Sequence, residues 1–530
     1  SYYSPIRHPA RALQERNFVL GRMASEGYLT DGQAKENQAR PLGIDFHPVD
    51  HNEGLAPYFR QELYARVKKL LADRGILKPD GVTPYDLYRD GLKIYTTIDS
   101  RMQAYAEEAQ KEYMRDLQNQ FNTEWKGAKL SEKIKNYDYL IRAGMTGSQR
   151  YAELKAQGKS DEEIKENFYT PDTVNLFTWR GDIDTVMKPI DSIVYSKMLL
   201  RNSLMSMDPT TGYIKAWVGG INFEHFKYDQ VIRGARQVGS TAKSFTFATA
   251  ISNGYSPCLQ VPNVPITITG YGDDWTPRSS PLETIPGLVD LRTALAHSQN
   301  WVTAYIMNEI KPEPVVELIK RMGITTNVPP YPSICLGVFD ATVFDMTGAY
   351  SVFANHGVWV EPTYLLRIED KNGNIIYNNP APVTKPAISE QTAYVMTDML
   401  KSVVDMPGAT GNRLRWKYNF TNPIAGKTGT SQENSDGWFI GMVPQLVTGI
   451  WTGCENRDFH FRTTRMGEGS NSALPIFALY MKKVYADPAL GIKKDAGFAP
   501  PKKPLDIILD CNAYGQQQKG TNPVEKKLSF

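Results

Sequence analysis

Ser240-Thr241-Ala242-Lys243 sets a hydroxyl and an amine three positions apart. If a helix opens at Ser240, the two side chains lie one turn apart on one face. Burial lowers the pKa of a lysine, and a neutral amine beside a hydroxyl turns serine into a nucleophile. A helix N-terminus also favours negative charge developing near Ser240. Phe245, Phe247, Ala248, Ala250 and Ile251 carry the apolar run to a helix stop at Asn253-Gly254. Taken alone, this run is also what a capped helix with a solvated lysine looks like. Ser298-Gln299-Asn300 supplies a second hydroxyl and an amide 58 positions later. Lys427-Thr428-Gly429-Thr430 adds a second cation and two more hydroxyls 129 positions beyond that. Ser298 and Asn300 alone read as helix caps and Lys427 alone as a surface lysine. Together they offer an activated serine a second hydroxyl, an amide and a second cation.

The elements that present these residues follow from local patterning. A hairpin spans 203–220, two strands around Pro209 and Gly212, and the nucleophile helix follows it. Asp290 caps a helix over 291–297, which leaves Ser298-Gln299-Asn300 in the loop before a helix at 302–310. Residues 423–430 read as a strand whose glycines admit another backbone or a ligand. A turn at 431–437 leads to a strand at 438–443 and a third at 446–454, an antiparallel meander. Helices are expected at 346–356, 392–404 and 473–485, with His356 before Gly357 as a C-terminal cap.

Upstream, Leu13, Val19, Leu20 and Met23 give one face of a helix that Gly27 stops, and a second helix follows Thr30-Asp31. His47, Asp50, His51 and Glu53 cluster, but no second cluster completes a metal site, so they read as a solvated loop. Phe59, Leu63, Val67 and Leu70 make the stripe of a helix over 55–73, and residues 92–98 form a short strand. Asp99 or Ser100 caps a helix to about residue 114. Residues 120–170 are polar and charged, with helical propensity and few strong apolar anchors, and read as a linking or inserted segment. Their charge run 155–165 is a solvated helix face, and residues 177–182 make a small β-turn unit.

The 530 residues carry 41% apolar and 22% charged side chains with a net charge of +3, which describes a globular chain of roughly two to four domains. No basic stripe or aromatic interleaving supports nucleic-acid binding. No apolar run reaches the ~18–20 residues that span a bilayer. Cys258, Cys335, Cys454 and Cys511 lack zinc spacing and read mostly as buried thiols, with any pairing left open. The Pro-, Lys- and Gly-rich tail 491–530 is expected to pack poorly.

The three motifs, in this order, are the set found in penicillin-binding enzymes and serine β-lactamases. From about 190 to 490 the chain resembles the penicillin-binding transpeptidase domain, and further stretches carry the likeness. These are Met207-Asp208-Pro209-Thr210-Thr211-Gly212 with Val218-Gly219-Gly220, then Leu336-Gly337-Val338 with Tyr350 to Val358, then Trp438-Phe439-Ile440-Gly441. Residues 1–40 resemble the end of a class A glycosyltransferase domain without its glutamate-bearing motifs. Two positions depart from the family: Val238 and Ser244 stand where prolines are usual.

The resemblance implies an α+β fold, an antiparallel sheet with helices on both faces plus an all-helical subdomain, after a mixed α/β linker. It divides the chain into a glycosyltransferase remnant (1–40), a linker region (41–190), a transpeptidase domain (191–490) and a tail (491–530). Ser240 becomes the nucleophile, Lys243 its base, Ser298 a proton relay and Lys427 a fixed positive charge. Asn300, Thr428, Gly429 and Thr430 hold the substrate, and the backbone N–H groups of Ser240 and Thr430 form the oxyanion hole. No metal or cofactor is implied. Implied partners are D-Ala-D-Ala stem peptides as donors, an amine acceptor, β-lactams and other cell-wall synthesis proteins. The implied location is the periplasmic face of the bacterial cytoplasmic membrane, with the anchor in a segment preceding this chain. The rival readings are a D,D-carboxypeptidase or β-lactamase, for which no Glu-x-x-Leu-Asn run follows Ser298, and a non-catalytic β-lactam sensor or scaffold.

Overall fold

The computed structural model describes residues 4–6, 8–44, 54–279 and 284–520. The chain divides into two compact units, residues 1–54 and 55–530. The His47–Glu53 cluster lies outside the described residues.

The first unit is a pair of helices, Pro9–Ser25 and Asp31–Ala39. Thr30 and Gln33 close a capping box on the second helix. Arg16 joins the two by donating to the carbonyls of Gln38, Arg40 and Pro41 at 3.1, 2.7 and 3.1 Å. No residue of the first helix is buried, and Val19 and Met23 on its apolar face are exposed.

The second unit is built on an antiparallel sheet of β1 (Leu200–Met207), β2 (Ile214–Val218), β3 (Ala425–Thr430), β4 (Asp436–Val443) and β5 (Leu446–Cys454), in the order β3-β4-β5-β1-β2. Side chains alternate between two cores, as the pleat requires, except at the register shift where Met207 pairs with Ile214. Leu204, Phe439 and Ile450 face one helical layer, α1 (Ser100–Trp125) and α6 (Leu474–Ala486). Met205, Ile440 and Trp451 face the other. That second layer holds α2 (Lys243–Ser252), α3 (Asn300–Ile310), α4 (Val343–Ala354) and α5 (Glu390–Asp405). With both faces covered, β1, β4 and β5 are buried along their whole length.

Two expectations, the end of α1 and the tail, need correction. α1 runs to Trp125 rather than to residue 114, because Leu117, Phe121 and Trp125 extend its buried stripe. The polar stretch beyond it folds into short helices up to Asp161–Tyr169, where Ile164 and Phe168 are buried. The tail is not loose: Phe498, Leu505, Ile507 and Leu509 rest on the core, and Cys511 forms a disulfide with Cys258. Cys335 and Cys454 are the buried thiols expected, and burial pushes each up to about 12. Among the described residues no helix is long and apolar enough to cross a membrane.

Candidate active site

Ser240 sits in a single 3₁₀ turn, Gly239–Ala242, that runs straight into α2. It therefore precedes the α-helix proper, and Lys243 follows one turn later, its amide bonded back to the Ser240 carbonyl. Gly239 is required here. It has φ +53°, and a Cβ would lie 2.5 Å from the Thr430 carbonyl oxygen. Gly337 closes on it from the other side, with room for no side chain.

The two departures from the family pattern are bonded. The Val238 N–H donates to Phe339 O at 3.1 Å, a bond that proline forgoes. Ser244 Oγ lies 2.8 Å from the Tyr350 hydroxyl, which donates to Thr241 O at 2.6 Å. Tyr350 thus ties α4 to the nucleophile turn.

Asp290 caps the helix Leu291–Ala296, accepting from Thr293 N at 2.8 Å. The chain then turns through Ser298 in the left-handed region, φ +56°. That turn aims Ser298 Oγ at both lysines. Lys243 Nζ and Lys427 Nζ each donate to it at 3.0 Å. Lys243 Nζ also donates to Asn300 Oδ1 at 2.6 Å and to the Ser298 carbonyl. Lys427 Nζ also donates to Thr428 O at 3.0 Å. Both lysines are 0% exposed. Burial, and then the charge of Lys243, hold the Lys427 ammonium well below the ordinary lysine range.

Above the lysines opens a cavity of about 760 Å³. Ser240, Ser298, Asn300, Thr428 and Thr430 border it, so the structure gathers the three motifs at one cleft. Gly429 is pressed between Val238 O and Trp438, which seats β3 against the nucleophile turn. Sequence reasoning missed the opposite wall. Thr410 there accepts from Thr428 Oγ1 at 2.8 Å, and Arg413, Trp416, Glu468 and Ser470 complete it. No motif flags these residues; the Gly408–Gly411 loop is the one local signal. Away from the cavity, Asp182, Glu224 and His225 bring donor atoms within 4.8 Å of one another, and His225 Nε2 lies 2.6 Å from Asp182 Oδ2.

Residues 203–451 match the penicillin-binding protein transpeptidase domain and residues 121–200 the penicillin-binding protein middle domain. The chain belongs to the penicillin-binding proteins. The middle-domain match covers much of the stretch read above as a linker. Among relatives, penicillin-binding protein 1A of Aquifex aeolicus is 30% identical over 91% of this chain, and that of Rickettsia bellii 28% over 92%. The chain spans 64% of the length of each. The crystal structure of penicillin-binding protein 1A from Haemophilus influenzae shares the fold, with a TM-score of 0.67 and 20% identity over 95% of this chain and 80% of that one. PonA1 of Mycobacterium tuberculosis, solved in complex with penicillin V, superposes with a TM-score of 0.57 at 19% identity over 85% of this chain and 97% of that one.

Proposed function

We propose that this penicillin-binding protein is a peptidoglycan D,D-transpeptidase working through an acyl-serine. The observation that carries the reading is Ser298 Oγ, held 3.0 Å from the amines of two buried lysines beneath a cleft that Ser240 borders. Two buried ammonium groups so close repel, so the pair holds one proton that crosses through the Ser298 hydroxyl. When that proton passes to Lys427, Lys243 becomes a free base for the Ser240 hydroxyl.

Ser240 Oγ attacks the carbonyl of the penultimate D-Ala, and Lys243 takes its proton. The oxyanion accepts from the backbone N–H groups of Ser240 and Thr430, donors worth ~10²–10³ in rate each. Ser298 passes the proton to the departing D-Ala amine, leaving an ester on Ser240. The amine of a second stem peptide attacks that ester, gives up a proton along the same path and restores the serine. Asn300 holds the donor amide, while Thr428 and Thr430 hold its terminal carboxylate. A β-lactam stops the cycle at the ester. The Cys258–Cys511 disulfide favours an oxidising location, in line with the periplasmic face of the membrane.

Intact mass after incubation with benzylpenicillin tests this reading. The expected result is one stable adduct, absent from Ser240→Ala, together with release of D-Ala from a stem peptide and its transfer to an amine. Rapid loss of the adduct overturns it in favour of a β-lactamase. A lasting adduct with no D-Ala release overturns it in favour of a sensor.

A further inference from the structure

Among the described residues lining the cavity, Glu468 is the single carboxylate. It belongs to the wall that no motif predicts, and contacts to Ser470 and Arg413 help fix its place. Ser470 Oγ donates to it, and the Arg413 guanidinium lies 4.0 Å away, itself donating to Ser470 O at 2.9 Å and Asn471 Oδ1 at 3.0 Å. The next residue, Gly469, is packed against the motif strand: its N–H donates to Thr430 Oγ1 at 3.3 Å, and a Cβ would lie 2.5 Å from Gly429 O. Glu468 is therefore a negative charge set beside the strand along which substrate lies, at a third of full exposure. The other ionisable side chains among the described lining residues are His297 and Arg413.

A substrate with only a terminal carboxylate gains nothing from a negative charge there. A transpeptidation substrate has more to offer. Donor and acceptor strands are copies of one polymer, so each stem peptide carries the amine that serves as acceptor, as an ammonium at neutral pH. We propose that Glu468 is the subsite for that primary ammonium and selects stem peptides bearing it. This rests on the acyl-transfer reading above. The ammonium has two possible sources, the donor peptide while it acylates Ser240, or the acceptor before it loses its proton.

The test compares the protein with Glu468→Gln and Glu468→Asp. The probes are a stem pentapeptide with a free side-chain amine, its N-acetyl counterpart and benzylpenicillin, which has no ammonium. Penicillin acylation is the internal reference. In Glu468→Gln, the ratio of free-amine peptide to penicillin acylation is expected to fall about tenfold. The N-acetyl peptide is expected to show that loss already in the unsubstituted protein. This pattern places the ammonium on the donor. A tenfold fall instead in the partition of the acyl-enzyme between added amine and water places it on the acceptor. Glu468→Asp is expected to recover part of either loss. The proposal is overturned if both ratios survive in Glu468→Gln. It is equally overturned if peptide and penicillin acylation fall together, which reduces Glu468 to a prop for Arg413 and Ser470. Absence of any serine adduct in the unsubstituted protein fails the parent reading instead, and is told apart by that adduct.

Discussion

The cleft and the N-terminal helix pair satisfy polar side chains in opposite ways. In the cleft, Lys243 and Lys427 are wholly buried, and their amines converge on one serine hydroxyl. In the helix pair, Ala34 is the one buried residue of either helix, and Arg16 bonds three carbonyls near the surface. A surface contact is worth about 0–1 kcal/mol, because water replaces it. A buried charge that loses its partner costs about 3–5 kcal/mol. Side-chain identity is therefore demanding in one region and forgiving in the other.

Substitutions sharpen that contrast. Ser298→Ala removes the hydroxyl shared by both lysines. Acylation by a chromogenic cephalosporin, followed by stopped flow, is expected to slow about 10²–10⁴-fold; a loss under fivefold refutes the shared-proton reading. Gly239→Ala forces a Cβ onto the Thr430 carbonyl in a left-handed turn. We expect a loss of about 3 kcal/mol in denaturant unfolding, together with slower acylation.

Asp229 extends the contrast to a group outside the cleft. Burial raises its carboxyl to about 6, although Val231 N and Trp217 Nε1 both donate to it. The folded chain keeps this proton after the unfolded chain has lost its own near 3.8. Stability therefore falls as pH rises from about 4 to 6 and stays about 3 kcal/mol lower above that window. Asp229→Asn should erase this slope in melting temperatures measured across pH 4–8.

Lys427→Met removes a buried amine whose folded pKa lies below its unfolded value. The unfolded chain binds more protons across that gap, so the native protein gains stability as pH climbs towards 10.5. The substitution should stabilise the fold by about 1–2 kcal/mol at pH 7, lose that advantage near pH 10.5, and abolish acylation. Arg16→Ala is the smallest change: faster amide exchange in residues 31–39, an effect of about 1 kcal/mol or less, with acylation unaltered.

What could be read from the sequence follows the same division. The hairpin, the meander and the three motifs were legible because local periodicity and short spacings encode them, and the helices flanking Ser298 fell within a few residues of expectation. Two kinds of feature were not. The wall of Thr410, Arg413, Trp416 and Glu468 has no spacing signature, since loops from separate elements assemble it. The partner of Cys258 lies 253 residues away, and composition made the tail look loose although four apolar residues seat it. In the first helix the apolar periodicity marked the helix, although none of its residues is buried.

The Cys258–Cys511 bridge also bears on the order of biosynthesis. It closes a covalent ring that holds Ser298 and Lys427 but leaves Ser240 outside. Cys511 follows every strand of the sheet, so a chain emerging from its N-terminus must complete all three motifs before the ring can shut. The bridge is a clasp fastened on a nearly finished domain, not a guide for the growing one. A protease that later cuts any loop between the two cysteines leaves both fragments on one molecule.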